Sequence, residues 1–363
     1  MVKLLIVHNK IYSYREQIFD ILKEYFDITV AFSDPSFLNK NFSFKTIYTP
    51  GKWTGPFFIH DKSLHKLCSD YDAVLALYEV RCLSIMRLSL HFRRKYSLTY
   101  WGIGVSASYS KKYDENKIWD GIRYFFGKKA ESIIFYSSYP VQKYINAGFE
   151  KDKLFVAENT TAVSSNLNLN VKKEAFLFVG TLYKQKGIDI LMEAYNSLKY
   201  IFGEKLPFLN IIGEGPERNY LEQWISSNDM TDKVFLHGAI YDPELLRSFY
   251  EKSIVCISPN QAGLSVLTSM GYATAFVTDK NAITGGEIFN IKNMINGIIY
   301  EGGVEELKEK LIWVINNQKE VVQMGKNAKE HYDQYRTPEL LANSLIEGVK
   351  YALAKKNNFT HSI

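Results

Sequence analysis

The stretch SPNQAGLSVLTSMGYATAFVT, residues 258–278, decides how this chain is read. A strand-like run, SIVCI, precedes it and stops at Pro259. Gly263 then opens an apolar helix, and TAFVT supplies the next strand. A helix start of this kind leaves the N–H groups of Gly263, Leu264 and Ser265 without helical partners. Those groups and the helix dipole favour an anion such as a phosphate. The plainer reading is a helix start at which Gly263 merely avoids a clash.

The neighbouring run FLFVGTLYKQKG, residues 176–187, strengthens the first reading. It is a strand ending at Gly180, followed by Lys184 and Lys186 just before the glycine that starts another helix. Together with residues 263–265, Lys186 forms a candidate diphosphate clamp. LNIIGEGP ends its strand at Gly213 and Gly215, and VFLHG ends at Gly238. A glycine at a strand end lets a backbone approach what a side chain would block.

Outward from this region, apolar runs alternate with amphipathic helical ones in both directions. In the first half, KLLIV, DITVAF, YDAVLALY, KYSLTYWG, SIIFYSS and KLFVAEN read as strands. SYREQIFDIL reads as a helix, and another follows YDAVLALY to about Tyr96. NTTAVSSNLNLNVKKEA, residues 159–175, reads as a linker. The alternation then restarts. This is the βαβ pattern of parallel sheets covered on both faces. We expect two doubly wound, Rossmann-like α/β domains, at 1–165 and 170–336, with a central cleft. A last helix over 337–356 packs back on the first.

The length of 363 residues fits about two domains. Three scattered cysteines argue for reduced thiols rather than a disulfide framework. The opening MVKLLIVHNK reads as a buried strand rather than a signal peptide, and no apolar run is long enough to span a bilayer. These features imply a cytoplasmic protein. Residues 1–165 carry 23 Lys+Arg against 16 Asp+Glu, and the remainder 21 against 23. The excess is densest from Arg81 to Lys129, among aromatic residues. Such a surface suits anionic headgroups at the inner face of a membrane. The alternative is a solvated helix face beside core aromatics. Nothing accompanies it that would read nucleic acid.

The runs from FLFVGTLYKQKGIDILMEAY to NMINGIIY, over most of 175–325, resemble a GT-B glycosyltransferase of the family 4 type, in that family's order and spacing. The first half resembles it more loosely, through YSYREQIFDIL and AGFEKDKLFVAENT. The resemblance implies a nucleotide-sugar donor in the second domain and a saccharide acceptor in the first. The family's diphosphate lysine falls on Lys186 and its phosphate-facing helix start on Gly263, Leu264 and Ser265. Its nucleoside pocket falls near Gly213, Gly215 and Tyr241.

Three positions depart from the family. Thr181 stands where arginine is usual, with Lys184 as a substitute charge. Asn260 and Thr268 stand where two glutamates are usual, one at the donor sugar and one at the ribose. Gly180 and Glu287, on the loop TGGEIFN, complete the expected donor set. His8, Tyr14, Arg15, Trp101 and Gly102 form the expected acceptor set.

The expected reaction is retaining, metal-independent transfer of a hexosyl or deoxyhexosyl group, in surface polysaccharide or lipopolysaccharide assembly. Lys186 and the amides of Gly263 and Leu264 would stabilise the departing diphosphate. No cofactor or metal is expected. His8 reads as a base or as a satisfied core histidine. Asp70 and Asp72, in DYD, read as structural. The alternatives are a sugar-nucleotide epimerase and a degenerate transferase that serves as a binding partner.

Overall fold

Short runs of β-branched and aromatic residues without polar alternation form strands buried on both faces. The computed structural model describes residues 1–108, 112–115, 117–164 and 166–360, and it gathers these runs into two parallel sheets. The chain divides into two units. One comprises Met1–Ala107, Tyr113–Thr160 and Thr337–Ile363, the other Ser108–Lys112 and Thr161–Arg336.

In the first unit the elements run β1 (Lys3–Val7), α1 (Ser13–Leu22), β2 (Asp27–Phe32), β3 (Lys45–Tyr48) and a hairpin of β4 (Gly51–Thr54) and β5 (Phe57–His60). Then come α2 (Leu64–Cys68), β6 (Ala73–Leu77), α3 (Leu83–Met86) and β7 (Ser97–Gly102). After a small ribbon of β8 (Ala107–Ser108) and β9 (Lys112–Tyr113), whose residues Ser108 and Lys112 belong to the other unit, the first unit continues with α4 (Asp120–Gly127), β10 (Ser132–Phe135), α5 (Tyr139–Asn146) and β11 (Leu154–Val156). The sheet order is β11-β10-β7-β6-β1-β2-β3, all parallel. Chain order reverses between β1 and β6.

The second unit repeats the plan. It contains β12 (Ala175–Val179), α6 (Ile188–Phe202), β13 (Phe208–Ile212), α7 (Arg218–Ser227), β14 (Val234–Leu236) and α8 (Pro243–Lys252). β15 (Ser253–Ile257), α9 (Leu264–Gly271), β16 (Ala275–Asp279), β17 (Gly297–Tyr300), α10 (Val304–Asn316) and α11 (Gln318–Tyr335) complete it. Its order is β14-β13-β12-β15-β16-β17, again all parallel, reversing between β12 and β15. These are the two Rossmann-like domains expected of the GT-B architecture. Each sheet is packed on both faces, with Leu5, Val74 and Leu98 in one core of the first unit and Leu4, Ile6 and Phe19 in another.

The last helix, α12 (Pro338–Thr360), packs on α1, β7 and β10 of the first unit. Its stripe Leu341, Ala342, Leu345, Ile346 and Val349 joins their core. Gly348 allows the approach, because a Cβ there would stand 2.6 Å from Ile134 Cδ1.

Two local expectations change. The helix expected to reach about Tyr96 is only α3 and a 3₁₀ turn, Arg87–Leu90. The chain turns there because Arg94 is drawn inward, donating to both carboxylate oxygens of Glu131 (2.6 and 2.7 Å) and to the Lys129 carbonyl. The expected linker has no regular structure in its described part, yet it is pinned to the second unit. The Ser164 hydroxyl donates to Glu244, the Asn168 N–H to Glu251, and Arg247 to the Asn166 carbonyl.

Candidate functional site

In doubly wound sheets a ligand binds beyond the strand ends where chain order reverses. In the second unit that point lies between β12 and β15. β12 gives way to Gly180, whose φ of +154° favours glycine. The chain then makes the 3₁₀ turn Lys184–Lys186 and reaches Gly187 at φ +70° before α6.

This turn folds Lys186 back over the strand end. A Cβ on Gly180 would lie 2.5 Å from Lys186 Nζ. A Cβ on Gly187 would lie 2.7 Å from Asn260 Nδ2 and 3.1 Å from Pro259 Cβ. The Asn260 N–H donates to the Lys186 carbonyl at 3.1 Å. Gly187 is therefore glycine because the two loops of the reversal point touch at its Cα.

Lys186 is half-buried, and among the described residues no carboxylate pairs with it. Burial holds its pKa below the usual lysine value, against a small opposing pull from Cys256 on β15. The Cys256 thiol is itself pushed up to about 12 by burial and stays protonated.

α9 starts next door along the chain. Gly263 occupies the N-cap, with no side-chain cap. The Val266 N–H bonds the Gly263 carbonyl at 2.9 Å, and the helix leaves the N–H groups of residues 263–265 unclaimed. A Cβ on Gly263 would meet open space. The helix opening is fixed from the side by Ile283, which donates to the Asn260 carbonyl and accepts from the Ala262 N–H, both at 2.8 Å.

The remaining residues of the expected donor set are distributed unevenly. Gly213 and Gly215 lie beside the β12 loop, but the room they leave is filled by that loop. A Cβ on Gly213 would stand 1.9 Å from the Gly180 oxygen, and one on Gly215 2.5 Å from the Leu182 oxygen. Thr181 and Lys184 are exposed, and Tyr241 is 89 % exposed. The Thr268 hydroxyl turns back along α9 and donates to the Leu264 carbonyl at 3.1 Å. Glu287 is buried, its carboxylate accepting from the Gly285 N–H (2.8 Å) and the Thr284 hydroxyl (3.3 Å) of its own loop.

In the first unit the reversal point lies between β1 and β6. His8 follows β1 and is buried, with its Nε2 3.1 Å from Arg15 Nη1. An arginine can only donate, so Nε2 accepts and the ring proton sits on Nδ1. Burial, reinforced by the Arg15 charge, holds His8 well below its ordinary pKa. The Arg15 contact gives the buried ring a hydrogen-bond partner. Trp101 and Gly102 end β7. Trp101 is fully buried and stacks edge-on to His8, and Gly102 lacks a Cβ because one would lie 2.9 Å from the Tyr78 oxygen. Tyr14 is half-buried beside Arg15. Asp72 accepts from the Lys3 N–H at 2.8 Å, at the amino-terminal end of β1. No group of metal-ligating side chains occurs among the described residues.

Sequence reasoning found Lys186 from its place before a glycine. It gave no such role to Gly187, Pro259 or Ile283, because these roles depend on contacts between loops, about 70 residues apart for Gly187 with Pro259 and Asn260 and about 20 apart for Ile283 with Asn260 and Ala262.

The fold is shared with a glycosyltransferase from Rickettsia africae (TM-score 0.73, 17 % identity, 97 % of this chain and 98 % of that one). It is shared too with Anabaena HepE in complex with UDP (TM-score 0.72, 16 % identity, 96 % of this chain and 100 % of that one). In sequence, an uncharacterized glycosyltransferase of Methanocaldococcus jannaschii is 28 % identical over 157 residues, 42 % of each chain. The chain spans 31–52 % of the length of the curated relatives it matches. Residues 159–331 match the family model of glycosyl transferases group 1, and Lys186, Asn260 and the opening of α9 all lie inside that match.

Proposed function

We propose that the protein is a glycosyltransferase. It moves a hexosyl or deoxyhexosyl group from a nucleoside diphosphate to a glycan hydroxyl, with retention and without a metal. The observation that carries this reading is Lys186, a desolvated ammonium without a carboxylate, at the reversal point of a doubly wound sheet beside the uncapped α9. The match over 159–331 supports the same reading, as does UDP bound to a protein of the same fold.

The bond from the anomeric carbon to the diphosphate oxygen breaks, and its electron pair stays on that oxygen. Lys186 Nζ and the N–H groups of residues 263–265 stabilise the charge that gathers there. The acceptor hydroxyl forms the new bond to the anomeric carbon, and its proton leaves with the diphosphate. Asn260 offers both a donor and an acceptor to sugar hydroxyls. The first unit holds the acceptor, in surface polysaccharide or lipopolysaccharide assembly.

Calorimetry with UDP, ADP and GDP and their sugar conjugates tests the reading. Binding of one nucleotide, with sugar release to an added acceptor, is the expected result. No binding of any of them overturns it. Binding without turnover favours a degenerate partner protein, a second reading that rests on Thr268, whose hydroxyl is committed to its own helix.

The acceptor side also carries a surface suited to a lipid-linked saccharide. Phe92 (92 % exposed), Ile122 and Phe125 project into solvent, with Arg93, Lys128 and Lys129 exposed among them. The bond from Arg94 to the Lys129 carbonyl holds the Phe92 turn against the end of α4. No helix among the described residues is long and apolar enough to cross a membrane. Such a patch gives peripheral binding to anionic bilayers. Sedimentation with phosphatidylglycerol vesicles at low salt, lost in Phe92→Ser/Phe125→Ser, is expected. No sedimentation of the unaltered protein removes this element.

A further inference from the structure

Three arginines of the first unit are buried: Arg15, Arg94 and Arg123. Two have carboxylate partners. Arg94 donates to Glu131, and Arg123 donates to Asp120 at 2.7 Å. Arg15 has none among the described residues. Its Nη1 meets neutral His8, and its Nη2 donates to the Tyr136 hydroxyl at 2.7 Å. Its guanidinium lies 4.1 Å from the Trp101 ring centroid. Arg15 Nε and Trp101 Nε1 are both buried without a hydrogen-bond partner.

Cation–π contact and neutral partners offset only part of the cost of burying a charge. Two donors left unmade, on side chains in contact with each other, add to that cost. The position is informative as well. Arg15 stands in the first turn of α1, directly after β1, at the carboxyl end of the strand where chain order reverses. α1 has no side-chain cap, so its N-terminal dipole adds to the same positive field. Glu16 is the acidic residue of that turn, yet it forms no ion pair with Arg15. Tyr12 and Tyr14, stacked at 5.4 Å, stand at the helix opening, and Tyr12 is 45 % exposed.

We infer that this corner of the first unit is an oxyanion site, in which Arg15 and Trp101 Nε1 receive a phosphate or carboxylate group. The inference rests on the transferase reading in one respect: the anion is then a group of the acceptor, so the acceptor is a charged saccharide rather than a neutral one. His8, accepting from Arg15, keeps the guanidinium oriented and adds no charge.

The test is a titration of the full chain with inorganic phosphate and, separately, acetate, at low salt. It is followed by NMR through the Trp101 indole N–H and the Arg15 Nε–H, with the indole assigned by Trp101→Phe. Saturable shifts of both signals are expected. Arg15→Gln should weaken phosphate binding at the indole by about tenfold to a hundredfold, the range for a charge-assisted hydrogen bond. A shift with phosphate alone identifies a phosphorylated acceptor, and a shift with acetate as well identifies a carboxylate-bearing one. No shift of either signal with either anion overturns the site, and so does equal binding by Arg15→Gln. If Arg15→Gln does not fold, the two signals of the unaltered protein still decide. UDP is titrated alongside. UDP binding, with no response of Trp101 to phosphate or acetate, sinks the anion site and leaves the transferase reading standing. Phosphate shifts at Trp101 with no nucleotide binding do the reverse.

Discussion

Lys186→Met separates a binding lysine from a structural one, because the two roles predict opposite changes. Methionine keeps the stem that lies over Gly180 and removes only the ammonium. The unliganded protein loses a half-buried charge that no carboxylate offsets, and burial already depresses that group's pKa. Its thermal stability should therefore stay level or rise. Nucleotide binding should fall. One charge-assisted hydrogen bond to a diphosphate contributes about 1.5–3 kcal/mol, or about a 10- to 150-fold change in Kd. Turnover should fall further, by about 10² to 10³, since charge on the leaving oxygen peaks during bond cleavage.

The pH dependence has a definite sign. Only the ammonium attracts diphosphate, and its folded pKa lies below the usual value of 10.5. Affinity for UDP should weaken as pH rises through that depressed pKa, before an ordinary lysine would titrate, and the Met variant should lack this limb. Calorimetry across alkaline pH measures both effects, and differential scanning calorimetry measures stability. A Met variant that binds UDP within about twofold of the parent refutes the clamp. So does one that melts several degrees lower with its nucleotide affinity intact, which would make Lys186 a strut.

Two glycines of the expected donor set should respond differently to alanine. Gly213→Ala sets a Cβ against the Gly180 oxygen, at a φ of +152°, and should cost about 3 kcal/mol or more in urea unfolding. Gly263→Ala meets no neighbour and should leave the urea midpoint almost unchanged while obstructing approach to the α9 amides; equal destabilisation by both would contradict these packing assignments. His60 is buried between the Ser33 and Ser84 hydroxyls, and burial lowers its pKa to about 4 despite the opposing charge of Asp61. The unfolded chain takes up a proton there near pH 6.5 and the folded chain does not. Stability should therefore fall between about pH 6.5 and pH 4, by up to about 3 kcal/mol, and the fall should be shallower in His60→Gln. An unchanged slope in that variant assigns the loss to other groups.

How much of this was legible in the sequence depends on what kind of fact each feature is. The strands of the second unit were readable because FLFV, LNII and IVCI are continuous apolar runs, and only a sheet covered on both faces requires that. α10 and α11 were not assigned, because their charged faces mask the stripes through Leu307, Leu311 and Val314 and through Val321, Met324 and Ala328. The glycines show another limit. Sequence can say that a backbone must approach at Gly213, but not whether the approaching atom belongs to a ligand or to Gly180. Charge is the deepest case. The basic excess of the first 165 residues counts Arg15, Arg94 and Arg123 alike. Folding neutralises two of them, with Glu131 and Asp120 supplied from other positions in the chain, and leaves the third without a carboxylate. In the second unit, Lys173 is half-buried like Lys186 but bonds the Tyr250 carbonyl and feels the Glu251 charge, whereas Lys186 has neither. Among the described residues, Arg15 and Lys186 are thus cations held by neither a carboxylate nor a backbone carbonyl, unlike buried Lys153, which bonds the carbonyls of Gly127, Lys128 and Ala130, and both stand where chain order reverses. Burying a charge without a partner is unfavourable. That the exceptions coincide with the two positions where such sheets bind ligands is the physical argument that Lys186 and Arg15 await anions.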